Sequence, residues 1–139
     1  MTHWRGSLLV LAFLAVACAG ERQQEGQAEG TPGMRMPSME MLPAMRAHLD
    51  SVRLASPNEI PAMVSAHRTK AEEMLTAMDQ DMKAMSMAGD AGWRALADSV
   101  RSDLVALPGL SGEALVLRMR AHAGRMRRLL ETHERMMKM

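Results

Sequence analysis

The residues best equipped for chemistry in this chain are histidine and methionine: five His and 17 Met stand among 139 residues, beside a single cysteine, Cys18. Thioether sulfur is soft and uncharged, and imidazole is borderline. Together they suit Cu(I), while imidazole alone suits Zn(II) or Cu(II). On a helix of about 100° per residue, Met63, His67, Met74, Met78, Met82 and Met85 fall within one apolar sector. Leu115, Met119, His122, Met126, Leu129, His133 and Met137 do the same further along the chain. His48 and His67 each lie about nine residues from a turn centred on Pro57 and Asn58, so they should sit level on antiparallel helices. An internal repeat, described below, puts His122 near that level. His48, His67 and His122 are therefore candidate ligands of one ion, with Met45, Met63, Met119 and Met126 one turn away at i±3 or i±4. His133 lies about 16 Å further along its helix at roughly 1.5 Å per residue, so it could join only a second cluster, with Met78, Met136 and Met137. The plainer reading of the same stripes is a core filled by methionine, the most adaptable of the apolar side chains, with histidines satisfied by a carbonyl or carboxylate.

The elements that must position these residues are helical. The first helix is expected over 39–55, with Met41, Met45, Leu49 and Val52 inward and His48 on the flank of that face. Ser56-Pro57-Asn58-Glu59 reads as a capping box with proline at the first helical position. It opens a second helix that should run to about Met87 and stop at Gly89. Asp90 should cap a third helix ending near Leu107, before Pro108-Gly109. Its core face offers Trp93, Leu96, Val100, Leu104 and Leu107, with no ligand-type residue among them. Ser111 should cap the fourth, with Leu110 and Leu115 as a hydrophobic staple. Short connections favour antiparallel neighbours, and so the expected fold is all-α, an up-down-up-down four-helix bundle.

A repeat runs through it. Residues 45–53, Met-Arg-Ala-His-Leu-Asp-Ser-Val-Arg, align with residues 93–101, Trp-Arg-Ala-Leu-Ala-Asp-Ser-Val-Arg, with six of nine positions identical. The second and fourth helices align more weakly, His67 with His122 and Leu75 with Leu130. The bundle is thus expected to be two αα-hairpin repeats packed about a quasi-two-fold axis, each burying the stripe that the other cannot bury alone.

Residues 1–17 read as a signal peptide: Arg5 supplies a positive start, and an apolar run too short to span a bilayer follows from Leu8 to Ala17. Leu14-Ala15-Val16-Ala17-Cys18 resembles the lipobox of bacterial lipoproteins, with Ala15 where the usual Leu stands. That resemblance implies a diacylated Cys18 as the mature N-terminus and a membrane anchor. With Ala19 and no Asp after the cysteine, it further implies the outer membrane, facing the periplasm. Ordinary cleavage after Ala15 or Ala17 would instead leave a free thiol on a secreted protein. Residues 18–38, rich in Gly, Gln and Glu, read as the lipidated cysteine and a flexible tether, which would hold a domain over 39–139 roughly 25 Å from the membrane.

Composition removes other functions. A lone cysteine excludes a disulfide framework, and a formal net charge of +1 argues against a nucleic-acid binder. Trp93 is the only aromatic residue beyond Cys18, which leaves little on which to stack a sugar, a base or a haem. There is no Glu-x-x-His pair for a di-iron site, no nucleophile elbow and no phosphate loop, so no catalytic residue is assigned. Ser51 and Ser99, one in each repeat, read as surface positions. The acids Glu72, Glu73, Asp79 and Asp81 read as the solvated face of the second helix. The basic excess of the fourth, with Arg118, Arg120, Arg125, Arg127, Arg128, Arg135 and Lys138, should steer it against those acids. Its sharper reading is attraction to anionic lipid headgroups, about 1 kcal/mol per close Lys or Arg.

At the level of architecture, the His/Met helices resemble uncharacterised secreted bacterial families of ferritin-like bundles, whose helices carry phrases such as His-His-x-x-Ala-x-x-Met. Ala66-His67 and Ala121-His122 depart from that pattern in having one histidine each. The function expected is a lipid-anchored Met/His bundle holding a soft metal ion such as copper. The alternative is a structural or protein-interaction lipoprotein without metal.

Overall fold

The structure is a computed structural model that describes residues 35–139. The signal segment, Cys18 and most of the tether lie outside the described residues. Four helices account for the rest: α1 (Pro37–Leu54), α2 (Ile60–Ala84), α3 (Ala91–Ala106) and α4 (Gly112–Met137), with a 3₁₀ turn at Leu107–Gly109. They form an up-down-up-down bundle of two αα-hairpins, α1 with α2 and α3 with α4. Among the described residues, no helix is long and apolar enough to cross a membrane.

The boundaries differ from expectation in instructive ways. Pro37 rather than Met39 opens α1, because Ser38 is not tether: it is fully buried and donates from both its backbone N–H and its hydroxyl to Asp81 Oδ2. The Ser56–Glu59 box is half realised. The Glu59 carboxylate accepts from the Ser56 N–H and hydroxyl, both at 2.7 Å, but the intervening residues form a turn and α2 begins at Ile60. Asp90 caps α3 as expected, its Oδ1 accepting from the Trp93 N–H at 2.7 Å. Ser111 stands at the start of α4, but its side chain makes no capping bond; there the backbone turns through Gly112 at φ +56°.

The end of α2 comes well before Gly89. Ser86 adopts φ +57°, the Met87 N–H donates to the Met82 carbonyl at 2.8 Å, and the Ser86 N–H donates to the Lys83 carbonyl at 3.0 Å. This is a Schellman termination with serine where glycine is usual. It is held by Met87, which packs against the core that contains Met82. Ser86→Gly should therefore stabilise the protein by about 0.5–1 kcal/mol, read as a higher urea midpoint with an unchanged m-value. An unchanged or lowered midpoint would contradict it.

The core follows the stripes. Met45, Leu49 and Val52 of α1 and their repeat counterparts Trp93, Ala97 and Val100 of α3 are all buried. Ser51 and Ser99, both exposed, each donate to the carbonyl four residues earlier. The packing of the two hairpins is nonetheless uneven. α4 touches all three other helices, and α1 lies along it. The repeat-equivalent pair, α2 with α3, approaches less closely. The expected two-fold relation is thus a property of the helices' sequences more than of their packing.

The charge pairing also departs from expectation. Arg127 of α4 bonds Asp50 of α1 at 2.8 Å, and Glu134 of α4 bonds Arg46 of α1 at 2.6 Å. Asp79 of α2 pairs with Arg101 of α3. Among the described residues, no Arg or Lys of α4 pairs with an acid of α2. The two helices meet through their apolar faces, which turns their charges sideways toward other neighbours.

Candidate metal centre: a buried histidine chain

His67 and His122 have no solvent exposure, and His48 is half-buried on the flank of α1. The estimate of equal heights puts them side by side, and the structure brings them into one contact chain. His48 Nε2 lies 2.9 Å from His67 Nδ1, with the two rings stacked. The His67 and His122 rings then meet edge-on, their centroids 4.9 Å apart.

The far end of the chain rests on a residue that sequence reasoning missed. Asp103 of α3 is 4% exposed, and its Oδ2 lies 3.3 Å from His122 Nδ1. Arg125 donates to the same oxygen at 2.6 Å, and Arg118 donates to Oδ1 at 3.2 Å. The signal for Asp103 was present: it lies at i+3 from Val100 and i−4 from Leu107 on the inward stripe. Its charge is what argued it outward. The arginines answer that charge from a cleft of about 720 Å³ between α3 and α4, open to solvent. Burial opposes ionisation of Asp103, but Arg125 and His122 together outweigh it and hold the carboxyl below its usual range.

An ionised Asp103 can only accept, so His122 Nδ1 carries the proton and its lone pair is on Nε2. Burial lowers the pKa of His122, partly offset by Asp103. Burial, followed by the neighbouring charges of His122 and His48, pushes His67 down to about 3. Both rings are therefore neutral near pH 7. The Nε2 atoms of His67 and of His122 are buried, and neither has a hydrogen-bond partner. Two imidazole nitrogens left idle in one layer of a core call for an explanation, since buried polar atoms are ordinarily paired.

The remaining candidates are placed less tightly. Met45, Met119 and Met126 are buried one turn from the histidines, and Met63 is only half-buried. Among the described residues, no methionine sulfur hydrogen-bonds a histidine, and no three His, Cys, Asp or Glu side chains are arranged to hold a metal ion. His48 also differs from its expected role as a third ligand. Its Nε2 is spent on His67, which makes it a positioning partner, as Asp103 is for His122.

His133, the centre of the second candidate cluster, is fully buried on α4. Met78 is buried, Met136 and Met137 are half-buried, and the His133 ring also meets polar and aromatic groups of the other three helices. Ser38 Oγ lies 3.4 Å from both ring nitrogens, Asp81 Oδ2 lies 3.7 Å from Nε2, and the Trp93 ring centroid is 5.6 Å away. Asp81, expected on the solvated face, is 1% exposed because Ser38 and His133 satisfy it in the interior. Ser, His and Asp meet here, but the serine hydroxyl is given to the aspartate and the whole group is closed to solvent. The arrangement locks the first turn of α1 to α2 and α4.

Fold and site together define a methionine-rich all-α bundle with a histidine chain through its core. No family model matches the chain, no curated protein matches it in sequence, and no solved structure matches it in fold.

Proposed function

We propose that this is a lipid-anchored envelope protein whose bundle binds a soft metal ion, Cu(I), between His67 and His122. The observation that carries the reading is the pair of buried, partnerless Nε2 atoms. Each ring is oriented by a bond at its other nitrogen, to His48 in one case and Asp103 in the other. A carboxylate behind a histidine is the usual outer-shell device that fixes a ligand's tautomer and raises its basicity. The buried thioethers of Met119 and Met126, one turn from His122, supply a soft and uncharged surrounding. The anchor at Cys18 rests on the lipobox resemblance and the tether that follows it, and the same resemblance supports a place at the outer membrane facing the periplasm. No catalytic step is assigned, and no partner beyond the membrane is proposed.

A specific observation favours the second reading, a structural or interaction lipoprotein. The rings already touch at a centroid separation of 4.9 Å, which is the packing of a filled core.

Metal titration separates the two. Cu(I) under a competing chelator, then Zn(II), is added to the full chain and followed by thermal unfolding. Binding at one ion per chain should add about 2.7 kcal/mol of stability at a free concentration 100 times Kd. The gain should vanish in His67→Leu/His122→Leu. No gain in the native chain, with the double variant as stable as the parent or more so, would leave the structural reading, since apolar replacement of a buried polar group is often neutral or stabilising.

A further inference from the structure

A second place in the molecule gathers thioethers around space instead of around other side chains. Between α1 and α2 lies a cavity of about 210 Å³ lined by Met41, Ala44, Met45, Lys70, Glu73 and Met74. Three of its six walls are methionine. The helix register explains why they meet. On α1, Met45 and Met41 precede His48 by one and two turns; on the antiparallel α2, Lys70 and Met74 follow His67 by one and two turns. The His48–His67 bond pins the register of the two helices, so Met41 and Met74 fall near one level and Met45 and Lys70 near the next. At about 1.5 Å per residue, the cavity lies roughly 5–10 Å along the seam from that bond.

We propose that this cavity is a thioether site for a soft monovalent d¹⁰ cation, Cu(I) or Ag(I), with Met41, Met45 and Met74 as its ligands. Three chemical features support it. Thioether sulfur prefers such ions and discriminates against hard divalent ones. Exposure is graded, from half-buried Met41 at the mouth to Met45 at 4% and Met74 at 0%, so an ion can enter from solvent and lose water stepwise. Lys70 and Glu73, both exposed, bring one charge of each sign to the lining, so its formal charge is zero and selection is left to the sulfurs. The inference rests on the same soft-ion reading as the histidine layer, but of its ligands only Met45 is also a candidate there, it uses no histidine, and it stands or falls separately.

Silver is the probe. The full chain, labelled with ¹³C at its methionine methyls, is titrated with Ag(I) in chloride-free buffer and followed by methyl and imidazole NMR. The methyls of Met41, Met45 and Met74 should shift with the first equivalent, ahead of exposed Met139, and should still do so in His67→Leu/His122→Leu. Met41→Leu/Met74→Leu conserves volume; it should abolish those shifts and weaken Ag(I) binding at least tenfold, while imidazole resonances still respond. Met41→Leu alone, at a half-buried position, repeats the test if the double variant does not fold. The proposal is overturned if the three methyls do not move before Met139, or if Met41→Leu binds Ag(I) as the parent does. Imidazole shifts without methyl shifts would sink this site and spare the histidine layer; the reverse would sink the layer and spare this site.

Discussion

Asp103→Ala is expected to destabilise the protein by about 3 kcal/mol, far more than the loss of any surface carboxylate. Removing one member of a buried charge network costs about 3–5 kcal/mol when the partners are stranded. Here the stranded groups differ. Arg118 is 45% exposed and can return to the cleft, Arg125 at 27% can do so in part, and His122 cannot. That asymmetry places the expected loss at the lower end of the range. For a domain of this size it lowers Tm by on the order of 15 °C. Asp50→Ala supplies the contrast: it too pairs with an arginine, Arg127, but its side chain is 50% exposed, and its loss should cost below about 1 kcal/mol. Thermal unfolding of the two variants side by side checks the claim. Equal losses would mean that Asp103 does not hold the end of the histidine chain.

Acid should unfold the protein early, and the buried histidines set the window. The unfolded chain takes up a proton on His67 below its ordinary pKa of 6.5, whereas the folded ring stays neutral until about pH 3. The unfolded state thus binds more protons throughout that interval, so stability falls as pH falls and is fully present above pH 6.5. For His67 alone the loss is about 1.4 kcal/mol at pH 5.5 and about 2.7 kcal/mol at pH 4.5. His122 and His133 shift in the same direction because they too are buried, so their contributions add with the same sign. The groups facing His67 are His48 and His122, with Asp103 and Arg125 behind the latter and Lys70 near the former. The depressed carboxyls of Asp103 and Glu134 remove stability only at lower pH. Urea unfolding at a series of pH values should show the decline beginning near pH 6.5 and flattening in His67→Leu. A constant stability between pH 7 and pH 5 would contradict the burial of neutral histidine.

Much of this was legible in the residues themselves. Helix number, the inward stripes, the repeat and the common level of His48, His67 and His122 follow from period, turn position and chain length, which are local properties of each helix. Asp90 as a cap is legible for the same reason: its hydrogen bond closes within three residues. Charged positions were read less well. Asp81 and Asp103 both fall at inward spacing, but a carboxylate is stable in a core only if partners from other segments meet it. Those partners, Ser38 and His133 for one, His122, Arg118 and Arg125 for the other, come from distant stretches of chain.

The same distinction separates what the sequence determined alone from what tertiary structure decided. The sequence alone determined that the histidines of α2 and α4 point inward, because a 3.6-residue period orients side chains about one helix axis without reference to a neighbour. Tertiary packing decided that His48 supports His67 instead of joining it, that Asp103 supports His122, and that two Nε2 atoms are left idle between them. It also turned Arg118, Arg125 and Arg127 of α4 toward α3 and α1 and away from α2. Those outcomes depend on the rotation and axial register of one helix against another, fixed by how apolar ridges interdigitate, and no single helix carries that information.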